Sequence, residues 1–314
     1  MSPSSSPKSK SLSSTKFLYS PMITVRVGPK RQKFCIHKGV LCSNSEYFTK
    51  ALSGQFKEAK TNIIELDDIN VMLFKILVAW LYTGKLTYES SDQDVSARNE
   101  FEELVTELED SYTNAAAEDE DEDKIEDDQG NAFIDDLTNF DREDPQTWTY
   151  LILCALFVLA DRLDIPKLKV SALDAMIGRV ELPRPPPDAR AVLYTYEHTT
   201  KKSQLRRLLV HIVAYRMAFR RSSNVWNNWP PEFLAAVMVT NGRRLPAVQW
   251  CGDCFQKAID ANSIRKRIIS DVSHDSDMAP FERDPCMYHE HKDEEEKKAC
   301  RSEREAESDE SDSE

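Results

Sequence analysis

A long run of acidic side chains lies in the middle of the sequence and limits where a hydrophobic core can form. Residues 91–145 contain 22 acidic and three basic side chains, and the stretch 115–123 alternates Glu and Asp after three alanines. Such a segment buries too little apolar surface to offset the entropy lost on ordering. We therefore interpret 90–146 as an acidic insertion that bulges from the surface, with helical spacing only at Arg98–Glu109.

Composition excludes several classes of protein. The formal net charge of −13 argues against a binder of duplex nucleic acid, because phosphate contacts need clustered Lys and Arg. The longest apolar run, Tyr150–Ala160, is too short to span a bilayer, and no apolar stretch near Met1 could act as a signal peptide. Seven scattered cysteines are typical of a reducing compartment. We expect an intracellular protein, in the nucleus or the cytoplasm.

The segment before the acidic run predicts a small sheet. Residues 23–27 alternate Ile and Val with polar residues, which indicates a strand with one buried face. Gly28–Arg31 favours a turn, and residues 34–36 alternate in the same way on a returning strand. Residues 64–66 predict a third strand.

Helical patterns follow the strands. Ser43, with Glu46 three residues later, fits a capping box at the start of a helix. The segment Leu73–Leu81 carries apolar side chains three and four residues apart, and Gly84 closes this helix as a left-handed cap. Beyond the acidic run, residues 150–163 predict another buried helix.

These patterns predict how the chain is divided. A Ser- and Pro-rich composition predicts a disordered tail at 1–20. One domain follows at 21–180, interrupted by the acidic insertion, and a Pro-rich linker separates it from a helical extension at 188–262. The remaining residues, 270–314, are predicted to form an acidic, largely disordered tail.

Several blocks of the sequence resemble one known family. They are Ile23-Thr-Val-Arg-Val-Gly28, Phe34-Cys-Ile-His-Lys-Gly-Val-Leu41, Ser45-Glu-Tyr-Phe48, Ile64-Glu-Leu-Asp-Asp68, Phe74-Lys-Ile-Leu77, Trp80-Leu-Tyr-Thr-Gly84 and Leu159-Ala-Asp-Arg-Leu-Asp-Ile165. In this combination the chain resembles a BTB/POZ domain. The layout after the Pro-rich linker, including Arg206–Leu209, resembles the BTB proteins that are numerous in fungi.

The resemblance implies a fold and a function. The fold is α+β, with a small β-sheet flanked by α-helices, followed by the helical extension and the disordered acidic segments. The function is protein–protein interaction, commonly as a homo- or hetero-oligomer, and often as an adaptor that links a substrate to a cullin-type ubiquitin ligase. We therefore predict protein partners, no enzymatic activity, no membrane partner and no sequence-specific binding of nucleic acid.

Adaptors of this type carry an apolar-x-Glu motif before the third strand, and Phe56-Lys57-Glu58 occupies that position here. An exposed Phe56 could insert into a pocket of a cullin-type partner, while Glu58 meets a basic group and fixes the orientation. The alternative is that Phe56 covers the edge of its own helical core. The sequence leaves both interpretations open.

Cysteines and histidines near the C-terminus suggest a structural zinc site. Cys251 and Cys254 form a C-x-x-C pair, and Cys286 and His289 form a C-x-x-H pair. The residues His291 and Cys300 are alternative ligands. The other possibility is that these side chains are ordinary thiols and a histidine in a disordered tail, in which case no cofactor is bound.

Two further functions remain open. The first is a nuclear scaffold or transcription co-factor whose acidic segments bind basic partners such as histones. The second is a dithiol redox protein that uses Cys251 and Cys254, although such a pair normally lies in a βαβ unit and only helical patterns surround it here. No kelch-like domain for recruiting substrates is evident in the sequence, which weakens the adaptor hypothesis.

Overall fold

The computed structural model describes residues 15–54, 56–88, 94–113, 137, 140–182, 184–216, 229–244, 279–291 and 293–311. The chain divides into two units. We call them the sheet unit (Met1–Glu107, Leu137–Trp148 and Ala155–Ala172) and the helical unit (Leu108–Asp136, Thr149–Cys154 and Leu173–Glu314). None of the described helices combines the length and apolar character that crossing a membrane requires.

A three-stranded sheet organises the sheet unit. Its strands are β1 (Met22–Val27), β2 (Gln32–His37) and β3 (Ile63–Leu66), in the order β2-β1-β3. Strand β1 pairs antiparallel with β2 and parallel with β3. Ile23, Val25 and Val27 are at most 1% exposed, so the predicted alternation is confirmed.

The turn between β1 and β2 requires glycine at its first position. Gly28 has a φ of +71°, and a Cβ there would lie 2.8 Å from Cγ2 of Val71. The backbone N–H of Arg31 donates to the carbonyl of Gly28 at 2.8 Å and closes the turn. Positive φ and a close neighbour both favour the residue that has no side chain.

Among the described residues before the acidic run, the α-helices are α1 (Lys38–Asn44), α2 (Glu46–Ala51), α3 (Lys57–Thr61) and α4 (Val71–Thr83). Helix α4 has its predicted end, since Gly84 has a φ of +74° and its N–H donates to the carbonyl of Trp80. The predicted capping box needs correction, because Ser45 rather than Ser43 caps α2. Ser43 lies inside α1, where its hydroxyl donates to the carbonyl of Val40.

In the sheet unit, elements before the acidic run contact elements after it. These later elements belong to helices α6 (Tyr150–Arg162) and α7 (Pro166–Val180) and the turn between them. The buried Ser45 hydroxyl donates to the carbonyl of Leu163 at 2.6 Å. The indole Nε1 of Trp80 donates to Oγ of Ser171 at 3.0 Å. Residues on both sides of the acidic run therefore contribute to the same unit.

Helix α5 (Asp94–Thr113) lies where we predicted a bulging insertion. Phe101 is fully buried and Leu104 is 1% exposed. The ring of Phe101 lies 5.3, 4.4 and 5.2 Å, centroid to centroid, from those of Tyr88, Phe140 and Trp148. The boundary of the insertion is therefore corrected: its first part belongs to the core, because apolar residues three positions apart form a buried stripe despite the acidic neighbours.

The helical unit contains most of the later helices. They are α8 (Ala189–His198), α9 (Gln204–Arg216), α10 (Pro231–Arg244), α11 (Pro280–Arg283) and α12 (Glu294–Ser311). Arg206 holds the start of α9 against the end of α8. Its guanidinium lies 4.1 Å from the ring centroid of Tyr196 and donates to the carbonyls of Tyr196 and Thr199. Arg206 is thus used inside the fold.

Both predicted disordered tails need correction. Within 1–20, residues Thr15–Tyr19 form a 3-10 helix. Within 270–314, the described residues include α11, α12 and the 3-10 helix Pro285–Tyr288. The side chains of Phe281 and Tyr288 are at most 1% exposed. A few apolar side chains in a charged segment can provide a local core, which composition alone does not reveal.

The Ser45 hydroxyl predicts a stability effect. Ser45→Ala removes both the cap of α2 and the donor to the Leu163 carbonyl. We expect the free energy of unfolding in urea to fall by about 2 kcal/mol. The matched control is Ser53→Ala, because that hydroxyl is exposed and donates to the carbonyl of Lys50 at a long 3.4 Å; the control should change stability by less than about 0.5 kcal/mol. Equal effects in the two variants would contradict the role assigned to Ser45.

Candidate protein-binding surface

Phe56 is exposed at the start of helix α3 in the sheet unit. It is the N-cap residue of α3, with extended backbone angles (φ −63°, ψ 154°). Its side chain is 62% exposed, although a phenylalanine of a folded domain is normally covered. This exposure does not fit the alternative in which Phe56 covers the edge of its own helical core.

Charged groups lie near the phenol of Tyr47 in α2. Glu58 lies in the first turn of that helix and is half-buried. Burial raises the pKa of the Tyr47 phenol, Arg162 opposes this shift, and the carboxylates of Glu58 and Asp68 add to it. Arg162 and Asp68 form an ion pair at 2.6 Å. We call Phe56 and Glu58 the Phe56 surface.

A second exposed apolar group lies at the N-terminal end of the described chain. Phe17, Leu18 and Tyr19 are 38, 47 and 89% exposed, respectively, on the 3-10 helix. The base of this segment is fixed, because Ser20 Oγ accepts the N–H of Gly39 at 2.7 Å and donates to the carbonyl of Phe17 at 2.6 Å. The exposed side chains therefore project from a backbone that the two hydrogen bonds of the Ser20 hydroxyl fix in place.

Two more exposed side chains extend this group. Met22 is 48% exposed and lies opposite His37 in the β1–β2 register. Tyr82 is 39% exposed, and its hydroxyl lies 2.9 Å from Nδ1 of His37. We call the set Phe17, Leu18, Tyr19, Met22 and Tyr82 the N-terminal apolar patch. This patch was not predicted from the sequence, although three consecutive apolar residues at 17–19, in a Ser- and Lys-rich segment, could have indicated it.

The family model of the BTB/POZ domain matches residues 21–109, which run from β1 into α5. The chain contains a BTB/POZ domain. Kelch-like protein 31 of Homo sapiens is 38% identical over 61 residues, which make up 19% of this chain and 9% of the human protein. The match thus spans about a tenth of that relative's length.

The BTB/POZ domain is a protein–protein interaction module, and both exposed groups lie on it or beside it. Tyr47, Phe56 and Glu58 lie within the matched segment, and so do Met22 and Tyr82. Residues 17–19 directly precede the segment. The match also extends into α5, which agrees with the burial of Phe101 and with the correction of the predicted insertion.

The predicted metal ligands lie outside the matched BTB/POZ segment. Cys251 and Cys254 lie outside the described residues, so their pairing stays a prediction. Cys286 and His289 are described, and the structure brings their side chains together with those of His291 and Cys300. The latter two residues are the alternative ligands named from the sequence.

Proposed function

We propose that this chain is an oligomerising BTB adaptor or scaffold, which binds protein partners and catalyses no reaction. The observation that carries this proposal is the 62% exposure of Phe56 at the start of α3 in the BTB/POZ domain. An aromatic side chain held in water on a folded scaffold is typical of an anchor that becomes buried in a complex.

The finer proposal is that the Phe56 surface binds a cullin-type scaffold. Phe56-Lys57-Glu58 matches the apolar-x-Glu motif at the position expected for such adaptors. Burying the phenylalanine in a pocket would contribute on the order of 1.5–3 kcal/mol. The half-buried carboxylate of Glu58 can fix orientation by meeting a basic group of the partner. The 38% identity to a Kelch-like protein supports this proposal only over the aligned 61 residues.

The Phe56 proposal predicts a specific loss of binding. Phe56→Asp should abolish binding of the full chain to purified cullin scaffolds, because a carboxylate would have to be buried in an apolar pocket. Binding is measured by pull-down and by titration calorimetry. The melting temperature should stay close to that of the wild type, since the side chain is mostly in water.

Met238→Asp is the matched control for this experiment. Met238 is 73% exposed on α10, in the helical unit. The control should bind the cullin as the wild type does. Failure of the wild type to bind any cullin scaffold, or equal losses in the two variants, would overturn the cullin proposal while leaving the BTB/POZ assignment untouched.

We further propose that the N-terminal apolar patch is the oligomer interface of the BTB/POZ domain. A cluster of exposed apolar side chains on an anchored segment is typical of a protein–protein contact site, because burying these side chains in an interface is favourable. A second copy of this chain is the proposed occupant, and the same patch then meets itself across a two-fold axis.

This interface predicts an oligomeric state and a way to break it. Sedimentation velocity of the full chain should give a dimer that dissociates on dilution. Leu18→Lys combined with Tyr19→Lys should give a folded monomer whose melting temperature no longer depends on protein concentration. The matched control, Met238→Lys combined with Val239→Lys, also charges two exposed apolar residues and should leave the dimer intact. A wild-type chain that is monomeric at every concentration would contradict the proposal.

The nuclear scaffold remains a second hypothesis. It depends on charge, and the first turn of α12 presents the exposed carboxylates Glu294, Glu295 and Glu296. A basic partner such as a histone would suit them. The dithiol redox hypothesis rests on Cys251 and Cys254 alone and likewise stays a prediction.

A further inference from the structure

Four potential metal ligands converge in the helical unit, beyond the matched BTB/POZ segment. They are Cys286, His289, His291 and Cys300, with two, one and eight intervening residues. One ligand atom from each side chain lies within 4.8 Å of all the others. Two thiols and two imidazoles are the donor set of a common class of structural zinc site.

The distances between donor atoms suit a tetrahedral ion. Sγ of Cys286 lies 3.0 Å from Nε2 of His291, and Nδ1 of His289 lies 3.2 Å from Sγ of Cys300. Bond lengths of about 2.3 Å for Zn–S and about 2.0 Å for Zn–N place such donors about 3.5 Å apart in a tetrahedron. Movements of about half an ångström would bring both pairs to the spacing of a coordinated ion.

A carboxylate orients one of the histidines. Nε2 of His289 lies 3.0 Å from Oδ1 of Asp174, which belongs to α7. The imidazole of His289 has no exposed surface. A carboxylate behind a ligating histidine fixes its tautomer and turns the other nitrogen toward the metal, as is usual at zinc sites. Here that other nitrogen, Nδ1, faces Cys300.

The composition of α12 gives an independent reason for a metal. Among its side chains from Glu294 to Ser302, only Lys297 and Cys300 are not exposed. A helix without an apolar face gains little from packing, so hydrophobic burial cannot fix its position. Coordination of an ion by Cys300 on the helix and by Cys286 before it would attach α12 to the rest of the unit.

We propose that Cys286, His289, His291 and Cys300 together bind one structural Zn²⁺ ion, with Asp174 as the carboxylate that orients His289. The site goes beyond the proposed binding functions, and it revises the ligand set predicted from the sequence. His291 and Cys300 take the places that the sequence gave to Cys251 and Cys254.

The first test measures the metal content of the full chain. Purified under reducing conditions, the wild type should contain one zinc per chain by inductively coupled plasma mass spectrometry. Replacement by Co²⁺ should produce the visible absorption of a tetrahedral ion with thiolate ligands. Cys300→Ser and His291→Ala should lose the zinc and the cobalt spectrum. Cys251→Ser combined with Cys254→Ser should retain both, as should Cys35→Ser, an exposed thiol of the sheet unit.

A second variant keeps the test informative if ligand variants fail to fold. Asp174→Asn retains all four ligands but weakens the orientation of His289. It should raise the zinc dissociation constant by about 10- to 100-fold in competition with a chelator. Glu181→Gln, an exposed carboxylate just beyond α7, is the matched control and should leave the dissociation constant unchanged.

Three results would overturn the proposal. The first is a wild-type chain with intact thiols and no zinc. The second is a disulfide between Cys286 and Cys300 in chain purified without reductant and still present after incubation with zinc and thiols. The third is loss of zinc from the Cys251 and Cys254 double variant together with its retention in Cys300→Ser.

Discussion

The sheet unit depends on one buried hydroxyl that joins two distant parts of the chain. The Ser45 hydroxyl accepts the N–H of Phe48 at 3.1 Å and donates to the carbonyl of Leu163 at 2.6 Å, across the whole acidic run. Ser45 is 2% exposed, so each of these hydrogen bonds forms away from water, where an unmade bond is costly. This contact places the turn between α6 and α7 beside the start of α2, and thereby completes the core.

A core closed in this way can tolerate a long, charged interruption. The entropic free-energy cost of closing a loop rises only slowly with loop length, by about 0.6 kcal/mol for each doubling. Phe101 strengthens the closure, because its ring contacts side chains on both sides of the run, including Trp148.

Much of the fold could be predicted from periodicity. The strands at Ile23–Val27 and Ile64–Leu66 and the end of α4 at Gly84 follow from local patterns, and the structure agrees. The predictions failed where a few buried apolar residues lie in strongly charged segments. Phe101 lies among carboxylates and Tyr288 in a polar tail, yet both are buried. The buried state of each depends on partners distant in sequence, which local composition cannot reveal.

The candidate sites were predictable to different degrees. A motif at the correct place between two elements identified Phe56, but only the structure gives its exposure. For the cysteines, the spacing C-x-x-C favoured Cys251 and Cys254, because short spacings are the only signal that a sequence offers. The fold places Cys300, on a helix, beside His289 at 3.2 Å. From the sequence His291 and Cys300 were only alternative ligands, because spacing does not show which side chains the fold brings together.

The central claim is that the segments before and after the acidic run form one cooperative core. Native-state hydrogen exchange on the full chain tests it most directly, by comparing amides of β1 and α4 with those of residues 160–172. The account predicts that the slowest amides of all three segments open with the same free energy, and that denaturant lowers this energy equally. Exchange of 160–172 through a separate opening of lower free energy, with β1 still protected, would contradict it.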